Sequence, residues 1–298
     1  MGARDRIVLG SRGSELALIQ ARLVEQALRA AWPDLEVATE IIRTSGDENA
    51  AAIADRKAGR KGMFTRAIEQ QLLVRQIDLA VHSAKDLPSA IDPDLEIRAA
   101  LPRAKTEDVL ITKNGESLTS LPGGATVATG SVRRQHQLRW LRPDLQVAEL
   151  RGNVPTRLRK LRENENWSGI ILARAGLDRL ALDLPMEILS PNEFLPAGGQ
   201  GVIALQIRRD DAGAARFVDA IDHRLTTLAL RAEREFLRLL DGDCDSPVGV
   251  QASLGEDVLH LRAQIFDGKS SAPKTGLTSG SRDEPEAAAR ALMQLIYG

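Results

Sequence analysis

The stretch RIVLGSRGSELALIQARLVEQALRAAWPD, residues 6–34, reads as a strand, a Gly-Ser turn and a helix in succession. RIVLG is a short apolar run with β-branched residues and no helical period. Ser14 stands where a side-chain oxygen caps a helix start, ahead of Leu16, Ile19, Leu23, Ala27 and Leu28 on one helical face. WPD at 32–34 stops the helix, because proline cannot donate to the helical ladder. The same signature returns at ATGSVRRQHQL, residues 128–138, so the chain contains two similar halves that each set a Gly-Ser turn between a strand and a helix.

Outward from these units, the runs EVATEIIR, DLAVH, DVLIT, TVATG, QVAELR, GIILAR and GVIALQIR read as further strands, with helices between most of them. That alternation predicts a mostly parallel α/β sheet covered on both faces. SGDENAAAIADRKAGRKG, residues 45–62, carries several charges and little apolar content, and reads as a long loop, either a lid or a disordered connection. Pro102 with RAKTED suggests one hinge and LPAGGQG at 195–201 a second. From about residue 224 a long helix, TTLALRAEREFLRLL, precedes a cysteine turn, an antiparallel run and a C-terminal helix ending ALMQLIYG, the pattern of a separate α+β domain.

At 298 residues and 43% apolar content the chain is too long for a single core, so several domains are expected. One cysteine suits a reducing compartment, and the opening MGARDRIVLG has no apolar stretch of signal-peptide length. No run approaches the roughly 20 apolar residues that span a bilayer. These features predict a cytoplasmic protein without a membrane partner. A net charge of -1 excludes a global field for nucleic acid, and 3% aromatic content leaves few stacking platforms. Four scattered histidines and one cysteine give no metal-ligand spacing, so no metal is expected.

Ligands of open α/β sheets bind beyond the carboxyl ends of the strands. Five strand ends carry cations: Arg12 after the first, Lys85 after DLAVH, Arg133 and Arg134 after TVATG, Arg151 and Arg157 after QVAEL, and Arg174 and Arg179 after GIILA. Residues 133–162 hold nine Lys or Arg against two acids. Arg139, Arg142, Arg159 and Arg162 read as exposed helix surface. The strand-end arginines, with helix N-termini after the Gly-Ser turns, suit bidentate capture of carboxylate or phosphate. A ligand with many negative groups is implied. Asp86 stands out among these cations, either as an ion-pair partner of a neighbouring cation or as a carboxylate that stabilises developing positive charge. His82 reads equally as a structural hydrogen-bonding residue or a catalytic one. The GGQG turn lacks the lysine of a phosphate loop and reads as a domain crossing.

LLDGDCDSPVG, residues 239–249, places the only cysteine, Cys244, between Asp243 and Asp245. Flanking carboxylates disfavour a thiolate, which excludes a fast redox or protease-type nucleophile. A small apolar side chain in a turn, or a thiol modified once and permanently, both remain.

LGSRGSELALIQA, KGMFTRAIEQQLL, DLAVHSAKDLPS, TGSVRRQHQL, LRGNVPTRL, ILARAGLDRL, LPAGGQG and DGDCDSPVG together, in this order and at these spacings, resemble the porphobilinogen deaminase (hydroxymethylbilane synthase) family over essentially the full length. The resemblance implies two α/β domains similar to type II periplasmic binding proteins with a central cleft, plus a small α+β C-terminal domain. It places domain 1 at 1–101 and 202–220, domain 2 at 106–197 and domain 3 at 224–298. It implies a transferase of tetrapyrrole (porphyrin, haem) biosynthesis that joins four porphobilinogens into hydroxymethylbilane and releases ammonia, primed by a dipyrromethane cofactor on a thioether to Cys244. By matched position Asp86 is the catalytic carboxylate. Ser83, Lys85, Asp86, Thr129, Ser131, Arg133, Arg134, Arg151 and Gly152 contact the cofactor, and Arg12, Ser14, Gln20, Lys57, Phe64, Arg157, Arg179 and Gln200 the substrate. A monomer is expected. Asp243, Asp245 and Ser246 depart from the common pattern around the cysteine, Gly130 replaces a common serine, Pro155 a flexible residue, and Arg174 is an additional cation. The alternative is a non-catalytic anion-binding protein on the same scaffold.

Overall fold

A computed structural model describes residues 5–43, 65–241, 247–267 and 272–298. Lys57, Phe64, Asp243, Cys244, Asp245 and Ser246 fall outside the described residues, as does the 45–62 loop. The chain folds as two compact units, Met1–Ala104 with Val202–Leu230, and Lys105–Gly201 with Arg231–Gly298.

In the first unit, β1 (Arg6–Ser11), α1 (Glu15–Ala31), β2 (Glu36–Ile41), α2 (Arg66–Leu73), β3 (Leu79–Ser83) and β4 (Leu95–Ala100) come from the N-terminal part of the chain, while β10 (Ile203–Arg208) and α6 (Ala212–Asp219) return to it later. The sheet order is β2-β1-β3-β10-β4. β1 runs parallel to β2 and β3, but β10 is antiparallel to both its neighbours. The expected mostly parallel sheet is therefore half antiparallel, because the strand that returns from far along the chain enters the middle of the sheet in the opposite direction.

Side chains on a strand alternate between faces, and the cores follow that period. Leu79, Val81, Ile203, Leu205 and Ile207 point to one side with Val24, Leu28, Phe217 and Val218, whereas Ala80 joins Ile68, Leu72 and Ile77 on the other. Trp32, which ends α1, packs edge-on against Phe217 with centroids 5.3 Å apart. The buried face of α1 is Gln20, Ala21, Val24 and Leu28; of the expected stripe Leu16, Ile19, Leu23, Ala27 and Leu28, only Leu28 is fully buried, and Leu23 is exposed. The helix is turned so that Gln20 reaches β3.

The second unit repeats the plan with β5 (Asp108–Thr112), β6 (Thr126–Ala128), α3 (Val132–Leu141), β7 (Gln146–Ala148), α4 (Val154–Glu163), β8 (Gly169–Ala173), α5 (Arg174–Arg179) and β9 (Glu187–Ile188). Its order is β7-β6-β8-β5-β9, with β6 parallel to β7 and β8 and with β5 antiparallel to β8 and β9. The two sheets thus share one pattern of strand directions, although the inner antiparallel strand is last in chain order in the first sheet and first in the second. Val109, Ile111, Ile170 and Leu172 face one core, and Leu110, Val127 and Ile171 the other. Arg142, expected on an exposed helix surface, instead donates to the carbonyls of Leu118 and Leu121 and pairs with Asp144 at 2.6 Å, closing the end of α3.

The helix α7 (Arg224–Leu239) leads to β11 (Val248–Leu254), β12 (Val258–Ile265) and β13 (Lys274–Ser281), an antiparallel three-stranded sheet covered by α8 (Pro285–Tyr297). Gly276 permits that cover: a Cβ there would lie 2.8 Å from Leu292 and Ile296. The α+β pattern expected after residue 224 is present.

Candidate active site

The parallel neighbours β1 and β3 end side by side, and the residues beyond their carboxyl ends line one pocket of about 70 Å³. Arg12, Ser14, Gln20, Ser83 and Asp86, all expected at the site, share it with Thr65 and His82. Ser14 caps α1, accepting from the amide of Ala17 at 3.3 Å. Gln20 Nε2 donates to Ser83 Oγ at 2.9 Å and ties α1 to the end of β3. A 3₁₀ turn, Ala84–Asp86, follows; the Ala84 amide donates to the Val202 carbonyl at 3.0 Å, and that of Leu87 to the Ala84 carbonyl at 3.2 Å. This turn presents Lys85 and Asp86 half-buried.

Behind the pocket runs a buried polar chain that the sequence reading missed. His82 Nε2 lies 2.9 Å from Gln206 Oε1, and Gln206 Nε2 donates to Glu69 Oε1 at 2.9 Å. Because the Gln206 nitrogen serves a carboxylate, its oxygen accepts and His82 donates from Nε2. That side of the ring is engaged structurally. The three residues come from β3, β10 and α2, so no local spacing connects them.

In the second unit, Thr129 and Ser131 form the turn into α3, where Thr129 Oγ1 accepts from the Ser131 amide at 3.3 Å. Ser131 is the N-cap but makes no side-chain cap bond, which leaves the first amides of α3 to other acceptors. Arg133 and Arg134 are buried, and both meet Asp108, which is 0% exposed. Arg133 Nη1 lies 2.8 Å from Asp108 Oδ2, and Arg134 donates to Asp108 Oδ1 from Nη2 at 2.7 Å and Nε at 3.1 Å. Arg133 Nη1 also donates to the Leu195 carbonyl at 2.7 Å, and Arg134 Nη1 to that of Ile171 at 2.9 Å. Gln200, beside Gly199 and Gly201 at φ +73 and +85, reaches the same carboxylate at 2.9 Å. Burial pushes the Asp108 carboxyl up, but the fields and hydrogen bonds of Arg133 and Arg134 outweigh this and hold it below the usual carboxylate range. Asp108 escaped the sequence reading because it opens the apolar run DVLIT and reads there as a strand boundary.

Arg151 and Gly152 lie in the loop before α4. Arg151 Nε contacts Glu149 Oε1 at 3.1 Å with both side chains half-exposed. Gly152 has φ +117, and a Cβ there would stand 2.7 Å from Thr156 Cγ2. Arg157 Nε donates to the Gly152 carbonyl at 2.6 Å and Lys160 Nζ to that of Arg151 at 3.0 Å, so α4 holds this loop from below. Pro155 occupies the first turn of α4, where its missing N–H leaves no helical bond unmade. Gly130 answers a close approach: a Cβ would lie 2.4 Å from the Leu150 carbonyl oxygen. Arg174 lies 3.9 Å from Glu107 and 3.7 Å from Asp178, which gives that additional cation two acidic neighbours. Arg179 donates to the Gly201 carbonyl at 2.8 Å, and burial pulls its guanidinium below its ordinary pKa.

The comparisons with known proteins agree along the chain. The family model described as porphobilinogen deaminase, dipyromethane cofactor binding domain, matches residues 7–216, and that of the porphobilinogen deaminase C-terminal domain matches residues 227–297. The porphobilinogen deaminase of Roseiflexus sp. (strain RS-1) is 45% identical over 288 residues, 95% of this chain and 92% of that protein. That of Nitrobacter winogradskyi is 48% identical over 265 residues, 87% of this chain and 82% of its own. Among solved structures, the methionine binding protein MetQ aligns over 73% of this chain and 90% of its own at 13% identity, with a TM-score of 0.43. With one family model spanning both units and relatives of this identity covering nearly the whole length, the chain belongs to the porphobilinogen deaminase family.

Proposed function

We propose that Asp86 is the catalytic carboxylate of a hydroxymethylbilane synthase reaction and that Cys244 carries the primer. The chain is a transferase of tetrapyrrole biosynthesis with a dipyrromethane cofactor; it joins four porphobilinogens head to tail and releases four ammonia molecules. The observation that carries the assignment is the single pocket at the ends of β1 and β3, in which Asp86 shares walls with Arg12, Ser14, Gln20 and Ser83.

The residues of the second unit fit a cofactor that bears acetate and propionate groups. Arg133 and Arg134 meet one carboxylate, so their cluster keeps a net positive charge, and Arg133 Nε is buried without a hydrogen-bond partner. When bound, dipyrromethane supplies the terminal pyrrole on which the chain grows. Arg133, Arg134, Arg151, Thr129, Ser131 and Gly152 would hold it, and Ser83 and Lys85 are assigned to it by resemblance. Arg12 would pair with carboxylates of the incoming porphobilinogen; Ser14, Gln20, Arg157, Arg179 and Gln200 are assigned to the substrate by resemblance. Lys57 and Phe64 are assigned to the substrate by resemblance. Asp86 accepts the pyrrole N–H and offsets the positive charge that develops as ammonia leaves, and its carboxylate can receive the ring proton after coupling. Gln20, bonded to Ser83, keeps the pocket wall in register with the Asp86 turn.

We further assign three domains, 1–101 with 202–220, 106–197 and 224–298, and a cytoplasmic monomer. One cysteine that must stay a free thiol until it is alkylated supports the reducing compartment. Among the described residues no helix is long and apolar enough to cross a membrane. The test is intact-protein mass spectrometry of wild type and Cys244→Ala: wild type should carry an increment of two pyrrole units, and the variant none, with activity lost. A variant that turns over substrate with no bound pyrrole would refute the attachment.

A further inference from the structure

We infer that Asp108 is the positioning residue of the carboxylate clamp formed by Arg133 and Arg134, setting both the orientation of the two guanidinium groups and the net charge they offer. This rests on the reading that these arginines hold the cofactor. Neighbouring residues on a helix point about 100° apart, yet both side chains here end on one carboxylate, Arg133 on Oδ2 at 2.8 Å and Arg134 on Oδ1 at 2.7 Å. Arg134 spends Nε and Nη2 on Asp108 and Nη1 on the Ile171 carbonyl, so it is locked in place. Arg133 Nη1 pairs with Asp108 Oδ2 and donates to Gln137 Oε1 at 2.8 Å and to the Leu195 carbonyl at 2.7 Å, while its buried Nε has no hydrogen-bond partner.

Two buried cations on one buried anion leave a residual charge of one, and a buried charge without a counter-charge is costly. One ligand carboxylate would balance it. Without Asp108 the clamp would carry two uncompensated charges and lose the acceptor that aims both forks, while Gln200 would lose its 2.9 Å contact to the same oxygen. Asp108 touches neither ligand nor reacting atom in this role; it acts through the arginines.

The experiment uses the full chain produced without its cofactor, as wild type, Asp108→Asn, Asp108→Glu and Arg134→Gln. Each is incubated with porphobilinogen; covalent loading is followed by intact mass, and the melting temperature is read before and after loading. Loading should slow in a graded series, about threefold in Asp108→Glu, which keeps the charge but moves the carboxylate by one methylene, and at least about tenfold in Asp108→Asn, the factor that each 1.4 kcal/mol represents. The rise in melting temperature on loading should change with it. A purely structural aspartate would lower the melting temperature of loaded and unloaded protein equally and leave loading at the wild-type rate, which would overturn the inference. If Asp108→Asn does not fold, Asp108→Glu decides alone: wild-type loading in that variant overturns it. If Arg134→Gln also loads normally, the assignment of the arginines to the cofactor fails with it; if Arg134→Gln is impaired while the Asp108 variants are not, only the role of Asp108 falls.

Discussion

Asp86→Asn removes one negative charge from the pocket of the first unit and alters its shape little. The 3₁₀ turn that presents Asp86 is placed by backbone bonds, Ala84 N to Val202 O at 3.0 Å and Leu87 N to Ala84 O at 3.2 Å, so the variant should fold. The side chain is half-buried and outside the hydrophobic cores, and the change in stability should stay within about 0.5 kcal/mol. Turnover is another matter. Opposite unit charges about 4 Å apart attract by roughly 4 kcal/mol at an effective dielectric near 20. Partial exposure weakens that interaction; a remainder of about 2.7 kcal/mol corresponds to about a hundredfold in rate. Arg12 remains in the same pocket, so recognition of a carboxylate-bearing substrate should survive, with KM within about threefold of wild type. The assay adds porphobilinogen to cofactor-bearing enzyme and follows intact mass with time. Wild type should show species one, two and three pyrrole units heavier, whereas the variant should form the first of these at least about a hundredfold more slowly. A ladder at wild-type speed would refute the argument and leave Asp86 an ion-pair partner.

Other outcomes follow from the same geometry. Arg151→Leu should leave the melting temperature nearly unchanged, since its 3.1 Å pair with Glu149 is half-exposed and such pairs contribute about 0–1 kcal/mol, yet it should weaken retention of carboxylate-bearing intermediates in the mass assay. Gly152→Ala should destabilise by about 1–3 kcal/mol in thermal melts, because φ is +117 and the new Cβ would meet Thr156 Cγ2 at 2.7 Å. The pH dependence of Asp108 has a definite sign. Its folded pKa lies below the unfolded value of about 3.9, so its contribution is fully present above that pH and is lost as pH falls toward the folded value. The stability gap between wild type and Asp108→Asn should therefore be flat from about pH 5 to 7 and narrow below about pH 4, as chemical denaturation at each pH would reveal.

Much of this protein is legible along the chain. The strand, Gly-Ser turn and capped helix at residues 6–34 and the similar signature at 128–138 are local patterns, and Ser14 caps α1 as its position requires. The strand-end rule placed Arg12, Ser83 and Asp86 at or just beyond the ends of β1 and β3, which run side by side through the parallel pairing of Leu9 with Leu79. β4 and β9 were missed; β9 is only two residues long, and both are edge strands without a full apolar alternation.

What only the tertiary structure decided is long-range. That β10 and β5 lie antiparallel in their sheets depends on where the chain enters or re-enters each sheet, which no periodicity records. That Glu69, His82 and Gln206 form one buried chain depends on three elements meeting behind the pocket. Arg133 and Arg134 looked, from their charge and position after a strand, like open receptors for anions. The fold also buries them on a counter-charge, Asp108, a residue 26 positions from Arg134. Charge and local period are properties of a residue and its neighbours in sequence. The counter-charge that a buried cation receives is a property of the packed interior, where desolvation makes each unpaired group costly and only the folded arrangement can supply its partner.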